Sequence, residues 1–196
     1  MADLPRRELR DPRALRAIAH PLRLRILDEL AFGGPATATE LGGRIGESAA
    51  NCSWHLRQLA RYGWVEEAGG GTGRQRPWRV ILQSNTWGQG EEDPELAMAG
   101  DAASQVLLSN EFDALRGWLA GRRAEPARWR DAGFFTQYVG WLTAEELSAA
   151  EEEITGVFRR YFDRVTDPAR RPPGARPIRF VAWGVPARPI DHPDRT

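Results

Sequence analysis

Lysine is absent from this chain, so all 27 basic residues are arginines; cysteine occurs once, at Cys52, and histidine three times. Arginine is spread along the whole sequence, which reads first as genome composition. One cysteine can form no intrachain disulfide and supply no multi-thiolate metal site, which fits a reducing compartment. No apolar run approaches the roughly 18 residues that a membrane span needs. The first residues, MADLPRRELRDPR, are charged where a signal peptide would be apolar. The expectation is a cytoplasmic protein with no membrane partner. A surplus of one charge is also missing, since 27 acids balance the arginines, and this argues against a non-specific polyanion binder. No glycine-rich phosphate loop, nucleophile elbow or Cys–His pair with plausible spacing appears, and the carboxylates are scattered. Neither an enzyme nor a cofactor is expected.

What is present is unevenly distributed. Residues 1–82 hold 13 arginines against 9 acids, and residues 83–196 hold 14 against 18. A basic first half and an acidic second half suit one DNA-facing module and one that is not. With 196 residues and 41% hydrophobic content, the chain is long enough for one full core plus an extension.

The basic half carries three helix signals in close succession. Pro21 suits the first position of a helix, where its missing N–H would be unpaired anyway. Leu24, Ile26, Leu27, Leu30 and Ala31 then recur at helical spacing until Gly33-Gly34-Pro35 stops the run. Thr37 and Glu40 form a capping box that opens a short helix holding Leu41 and Ile45. Gly46 ends it and Ser48 caps the next, so the connecting turn is only a few residues long.

The helix over 48–62 is the candidate for the major groove of double-stranded DNA. Cys52, Leu56 and Leu59 make its buried stripe. Ala50, Asn51, Ser53, Trp54, Arg57, Gln58 and Arg61 fall on or beside the outer face, with His55 beside it. Small residues at 49 and 50 let the first turn approach DNA, Asn51 suits an adenine edge, and Arg57 reaches a guanine or a phosphate. An ordinary solvated helix face explains this helix equally well when it is taken alone. The sequence that follows tips the balance. Trp64 and Val65 lead into Gly69-Gly70-Gly71-Thr72-Gly73, then Arg74, Arg76 and Pro77, and 78–82 returns as a strand. Arginine near the tip of a glycine-rich hairpin suits a minor-groove or phosphate contact. Three helices followed by such a hairpin make a winged helix-turn-helix.

Residues 14–82 resemble the ArsR-like winged helix-turn-helix regulators. AIAHPLRLRIL is similar to that family's passage from first to second helix, and SAANCSWHLRQLARYGWVEE to its recognition-helix pattern. The resemblance implies a homodimeric, effector-responsive transcriptional regulator, usually a repressor, dimerised by its first helix and the helix after the wing. Metal-sensing members carry cysteine pairs before the recognition helix, or His/Asp pairs in the dimer helix, and this chain has neither. His20, His55 and His192 share no ligand spacing such as i and i+4. No metal site is therefore expected, and Cys52 reads as a small core residue.

In the second half, Pro94 starts a long helical pattern with Leu96, Ala99, Ala103, Val106, Leu107, Phe112, Leu115, Trp118 and Leu119 on one side. Such a stripe exceeds what a small winged domain covers, so a second copy is the natural partner. Beyond a linker over 122–130, residues 134–141 are aromatic and β-prone. Thr143 and Glu146 form a second capping box opening a helix with Leu147, Ala150, Ile154, Val157, Phe158, Tyr161, Phe162 and Val165 on its apolar face. After a polar loop, 178–185 read as another strand. Phe135, Tyr138, Trp141, Phe158, Tyr161 and Phe162 are candidates to line a pocket for a small apolar effector. Filling a small αβ core, or extending the dimer interface, is the commoner use of such aromatics. The run Glu151-Glu152-Glu153 reads as a solvated helix face, and Arg159, Arg160 and Arg164 as suited to the helix dipole.

The expected fold is mainly α with small β: a winged helix-turn-helix over 1–88, a dimerisation helix over 89–126, a strand-helix-strand extension over 127–190 and a tail over 191–196. The expected function is sequence-specific DNA binding by a homodimeric repressor that responds to a non-metal effector. The competing reading is a protein-interaction module that uses a winged helix without DNA.

Overall fold

The computed structural model describes residues 4–69, 76–87 and 93–187. They divide into one compact unit ending at Arg130 and a second covering 131 onward. The first unit runs β1 (Arg6–Glu8), α1 (Pro12–Ile18), α2 (Pro21–Gly33), α3 (Ala38–Ile45), α4 (Ala49–Arg61), β2 (Val65–Glu67), β3 (Trp78–Val80), β4 (Ser84–Thr86) and α5 (Pro94–Gly121). Mainly helical with small sheets, it is a winged helix-turn-helix joined to a long helix.

Local signals start these helices where the sequence places them. Asp11 accepts the Arg13 N–H at 2.8 Å ahead of Pro12, and His20 Nδ1 accepts the Leu22 N–H at 3.2 Å ahead of Pro21. Both halves of the Thr37/Glu40 capping box are formed. Such a cap contributes on the order of 1 kcal/mol by satisfying N–H groups that the first turn leaves open. The apolar faces then meet in one core. Leu15, Ile26, Leu41, Cys52, Leu56, Leu59 and Val65 are the large, fully buried side chains, drawn from α1 through β2.

The wing is the antiparallel pair β2–β3, with Val65 opposite Val80 and Glu67 opposite Trp78. Ala36 adds a one-residue bridge to Trp78, exchanging N–H···O bonds of 2.8 and 3.0 Å. This ties the α2–α3 connection to the base of the wing. Residues 70–75, including Arg74, lie outside the described residues. The parallel pair β1–β4, with Arg7 opposite Asn85, is not anticipated from the sequence, because two three-residue strands carry too little alternation to register.

Helix α5 has two parts. Its first half buries Leu96, Ala99, Gly100 and Ala103 in the core shared with α1 and α2. Arg16 pairs with Glu95 in the first turn at 2.8 Å, and Asn110, past the midpoint, donates to Asp28 at 3.1 Å. Farther on, Leu108, Phe112 and Leu119 are exposed. The long helix thus belongs to the same compact unit as the winged domain.

Three expectations need correction beyond that helix. The stretch 122–130 is not a plain linker, since it contains a short 3-10 turn (Arg122–Ala124) and the start of α6 (Ala127–Ala132). In the second unit α7 (Ala144–Arg159) forms with its Thr143/Glu146 capping box, followed by the short α8 (Asp163–Thr166). The segments 134–141 and 178–185 are not strands, because among the described residues the only ladders are β1–β4 and β2–β3. A β-prone sequence becomes a strand only when a neighbour accepts its hydrogen bonds.

Candidate nucleic-acid interface

The turn between α3 and α4 fixes how the second helix is presented. Gly46 closes α3 in the left-handed region at φ 75°, and its N–H returns to Gly42 O at 2.9 Å. The Glu47 N–H reaches the same carbonyl at 2.9 Å, a C-cap that satisfies the open end of α3. Ser48 Oγ then accepts the Asn51 N–H at 3.1 Å and starts α4. The two helices approach so closely here that a Cβ on Gly42 would sit 2.6 Å from Glu47 O and 3.3 Å from Ala49 N. Backbone, not side chain, faces Gly42.

Along α4, Cys52, Leu56 and Leu59 are buried and Ala49, Ala50, Trp54, Arg57 and Arg61 are exposed, with Asn51, Ser53 and Gln58 between. Two polar groups on this face are held by neighbours on the same turn. Asn51 Nδ2 donates to Glu47 Oε2 at 2.9 Å, and Arg57 donates to Ser53 Oγ at 2.6 Å. Each group must release that bond before it can reach another partner.

His55 does not lie beside the outer face; it is 4% exposed. The signal is in the spacing, three residues after Cys52 and four before Leu59, which places it on the buried stripe despite its polarity. Its partners explain how a histidine is accommodated there. Arg23 Nε donates to His55 Nδ1 at 3.3 Å, the His20 ring lies 4.8 Å away, and Trp54 meets it edge-on at 4.7 Å. Arg23 also donates to Ala17 O at 2.8 Å and has its guanidinium 5.7 Å from the Trp54 ring centroid. Burial, then His20 and Arg23, lower the pKa of His55, with Glu47 opposing; burial and Arg23 lower that of His20. The fold has therefore joined two histidines 35 positions apart in sequence and set an arginine beside them. A cation so placed disfavours a metal ion at that pair, and among the described residues no group of three or more His, Cys, Asp or Glu is placed to hold one.

The far end of α4 is clamped by residues that the sequence reading passes over. Arg7 of β1 donates to Tyr62 O at 2.6 Å and Gly63 O at 3.0 Å, and Gln83 donates to Gly63 O at 3.0 Å. Gly63 takes φ 70° to make the exit turn. The short β1–β4 pair thus holds the helix end against the wing. On the wing, Arg76 pairs with Glu67 at 2.6 Å and Arg79 with Glu66 at 2.7 Å, all four side chains well exposed. Such surface pairs are weak and open readily to a competing anion.

The aromatic candidates in the second unit do not enclose a pocket. Phe135, Tyr138 and Trp141 are 71, 87 and 96% exposed, because 134–142 form neither a helix nor a paired strand. Phe158 stacks on Phe180 at 5.0 Å, while Tyr161 is exposed and Phe162 half-buried.

Residues 18–68 match the family model described as Helix-turn-helix domain. The match starts at the end of α1 and runs through the first strand of the wing. No curated protein matches the chain. Among solved structures it is similar to Rv0081 of M. tuberculosis, at 24% identity over 52% of this chain and 89% of that one, with a TM-score of 0.32. Reduced HlyU of Vibrio cholerae N16961 shares 20% identity over 48% of this chain and 84% of its own, with a TM-score of 0.31. The MarR family transcription regulator SP03579 shares 17% over 79% and 80%, at 0.33. At such TM-scores these likenesses add nothing to the fold described above. No helix among the described residues is long and apolar enough to cross a membrane.

Proposed function

We propose that the chain is a sequence-specific, double-stranded-DNA-binding transcription regulator of the ArsR-like kind, acting as a homodimeric repressor. The observation that carries this is the α3-turn-α4 pair, packed backbone to backbone at Gly42, with Trp54, Arg57 and Arg61 exposed along the second helix. A helix held so firmly at its base can enter a major groove without rearrangement. On this reading Ala50, Asn51, Ser53, Trp54 and Arg57 face base edges. Ser48 and the start of α4 lie at phosphate, and Arg61, Arg74 and Arg76 hold the backbone on either side. The exposed distal half of α5, with Leu108, Phe112 and Leu119, supports a second copy there. Dimerisation sets two recognition helices one turn of DNA apart, about 34 Å, so the operator is a palindrome. The effector of such a repressor is a small organic molecule rather than a metal ion, given one buried cysteine and two histidines beside Arg23.

The test is binding of the purified chain to DNA upstream of its own gene, against excess unrelated duplex and across a salt series. Competitor-resistant binding that protects a palindrome supports the regulator. Absence of binding even at low salt, where electrostatics help most, refutes it. That outcome favours the protein-interaction reading, for which the pairing of Arg76 with Glu67 and of Arg79 with Glu66 is the supporting observation.

A further inference from the structure

The second unit leaves an uncommon amount of apolar surface uncovered. No described residue from 131 to 187 is buried, although the segment is rich in aromatic and aliphatic side chains. Part of the face of α7 is used within the chain. Phe158 stacks on Phe180, and a Cβ on Gly184 would meet Leu147 at 2.8 Å, so 178–185 runs antiparallel to α7. Ile154 and Val157 stay 44 and 40% exposed on that helix, Tyr161 just past its end 46%, and Val181 and Trp183 46 and 61% exposed in 178–185. The rings of Phe134, Phe135, Tyr138 and Trp141 alone leave on the order of 600 Å² open. With α7 and 178–185 the apolar surface exposed over these separate segments of the unit is on the order of 1,000 Å², where a standard stable interface takes about 800 Å² per partner.

The charges bordering this face identify what covers it. Glu146, Glu153 and Arg160 stand seven residues apart along one edge of the apolar stripe, with acids toward the N-terminal end and the base at the C-terminal end. In a parallel neighbour this edge meets the opposite edge of the stripe, where Glu146 falls against Glu151 of the second copy and neither Glu153 nor Arg160 finds an opposite charge. An antiparallel copy sets Glu153 of each chain against Arg160 of the other, twice, and its own apolar face against this one, as a twofold axis requires.

We infer that the apolar face of the C-terminal unit is a homodimer interface, in which α7 packs antiparallel against α7 of a second copy. The contact goes beyond the one proposed for α5 and does not depend on DNA binding. In it the Glu151-Glu152-Glu153 run is more than a solvated face, because Glu153 fixes the direction of pairing.

Charge reversal in the full chain tests this, read by amide hydrogen exchange over 150–161 and 178–185. Glu153→Arg alone and Arg160→Glu alone each bring like charges together and speed exchange there by about tenfold or more over the wild type. Mixing the two single variants, or combining both changes in one chain, restores opposite pairs and returns exchange to the wild-type rate. That recovery separates lost pairing from misfolding, since both altered positions are exposed in the single chain. The inference is overturned if the wild type exchanges at unprotected rates, if the single variants match the wild type, or if neither mixing nor the double change restores protection. Operator binding, measured alongside, reports separately on the DNA-binding reading.

Discussion

Replacing Gly42 with alanine tests the helix-turn-helix geometry at its tightest point. The new methyl would lie 2.6 Å from Glu47 O, 3.3 Å from Ala49 N and 3.5 Å from the Ser48 carbonyl carbon. Ordinary contact begins near 3.4 Å, so α3 and the turn must separate by most of an ångström. No side-chain rotation relieves the contact, because every atom met is backbone. Overpacking of this kind costs about 1–3 kcal/mol. The better helix propensity of alanine offsets about 1 kcal/mol, leaving a net loss of up to about 2 kcal/mol. Gly43, the next residue on the same helix, provides the control, since a Cβ there meets nothing within 4 Å. Gly43→Ala gains propensity without a clash and is stabilising by about 0.5–1 kcal/mol. Urea denaturation of the two variants, followed by far-ultraviolet circular dichroism, gives the comparison. Gly42→Ala also tilts α4 from its seat, so operator affinity falls more than stability alone predicts. A Gly42→Ala protein as stable as Gly43→Ala refutes the close approach and the rigid presentation of α4 that rests on it.

Three further outcomes follow from the site. Arg57→Ala, which also releases Ser53 Oγ, costs about 1–3 kcal/mol of operator affinity and relaxes preference at one base position if the guanidinium reads a base; a uniform loss over all sequences assigns it to phosphate. Removing Arg74 and Arg76 weakens all duplexes alike and lowers the slope of log affinity against log salt by about two, and an unchanged slope refutes the wing contact. His20 and His55 both have folded-state pKa values below their ordinary 6.5. The unfolded chain therefore takes up their protons first, and stability present above about pH 6.5 declines as the pH falls below it. Denaturation midpoints from pH 8 to 5 show this decline, and a His20→Asn, His55→Gln variant shows less of it.

Much of the first unit is legible in the sequence because its signals are local. A Thr37/Glu40 capping box, a proline at a first turn, or glycines at 33–34 act within a few residues, and each element begins or ends where they stand. His55 was equally legible from spacing, yet its polarity argues for the outside; only Arg23, arriving from α2, gives its Nδ1 a partner within the core. The β1–β4 pair and the Arg7 clamp had no local signal, as Arg7 and Tyr62 are 55 positions apart. In the second unit, the residues of 134–141 and 178–185 favour strands, but propensity alone supplies no hydrogen-bond partner.

By itself the sequence determined where α2, α3 and α4 run, which two stretches supply the strands of the wing, and which charges lie on the outer face of α4. These follow from backbone capping and side-chain periodicity, which neighbours in the chain settle between them. Tertiary structure decided how far α5 is covered, that His55 goes inside, and that the end of α4 is held by a strand from the far end of the domain. Those outcomes rest on which distant surfaces meet, and the free energy of burying or pairing a group exists only once its partner has arrived.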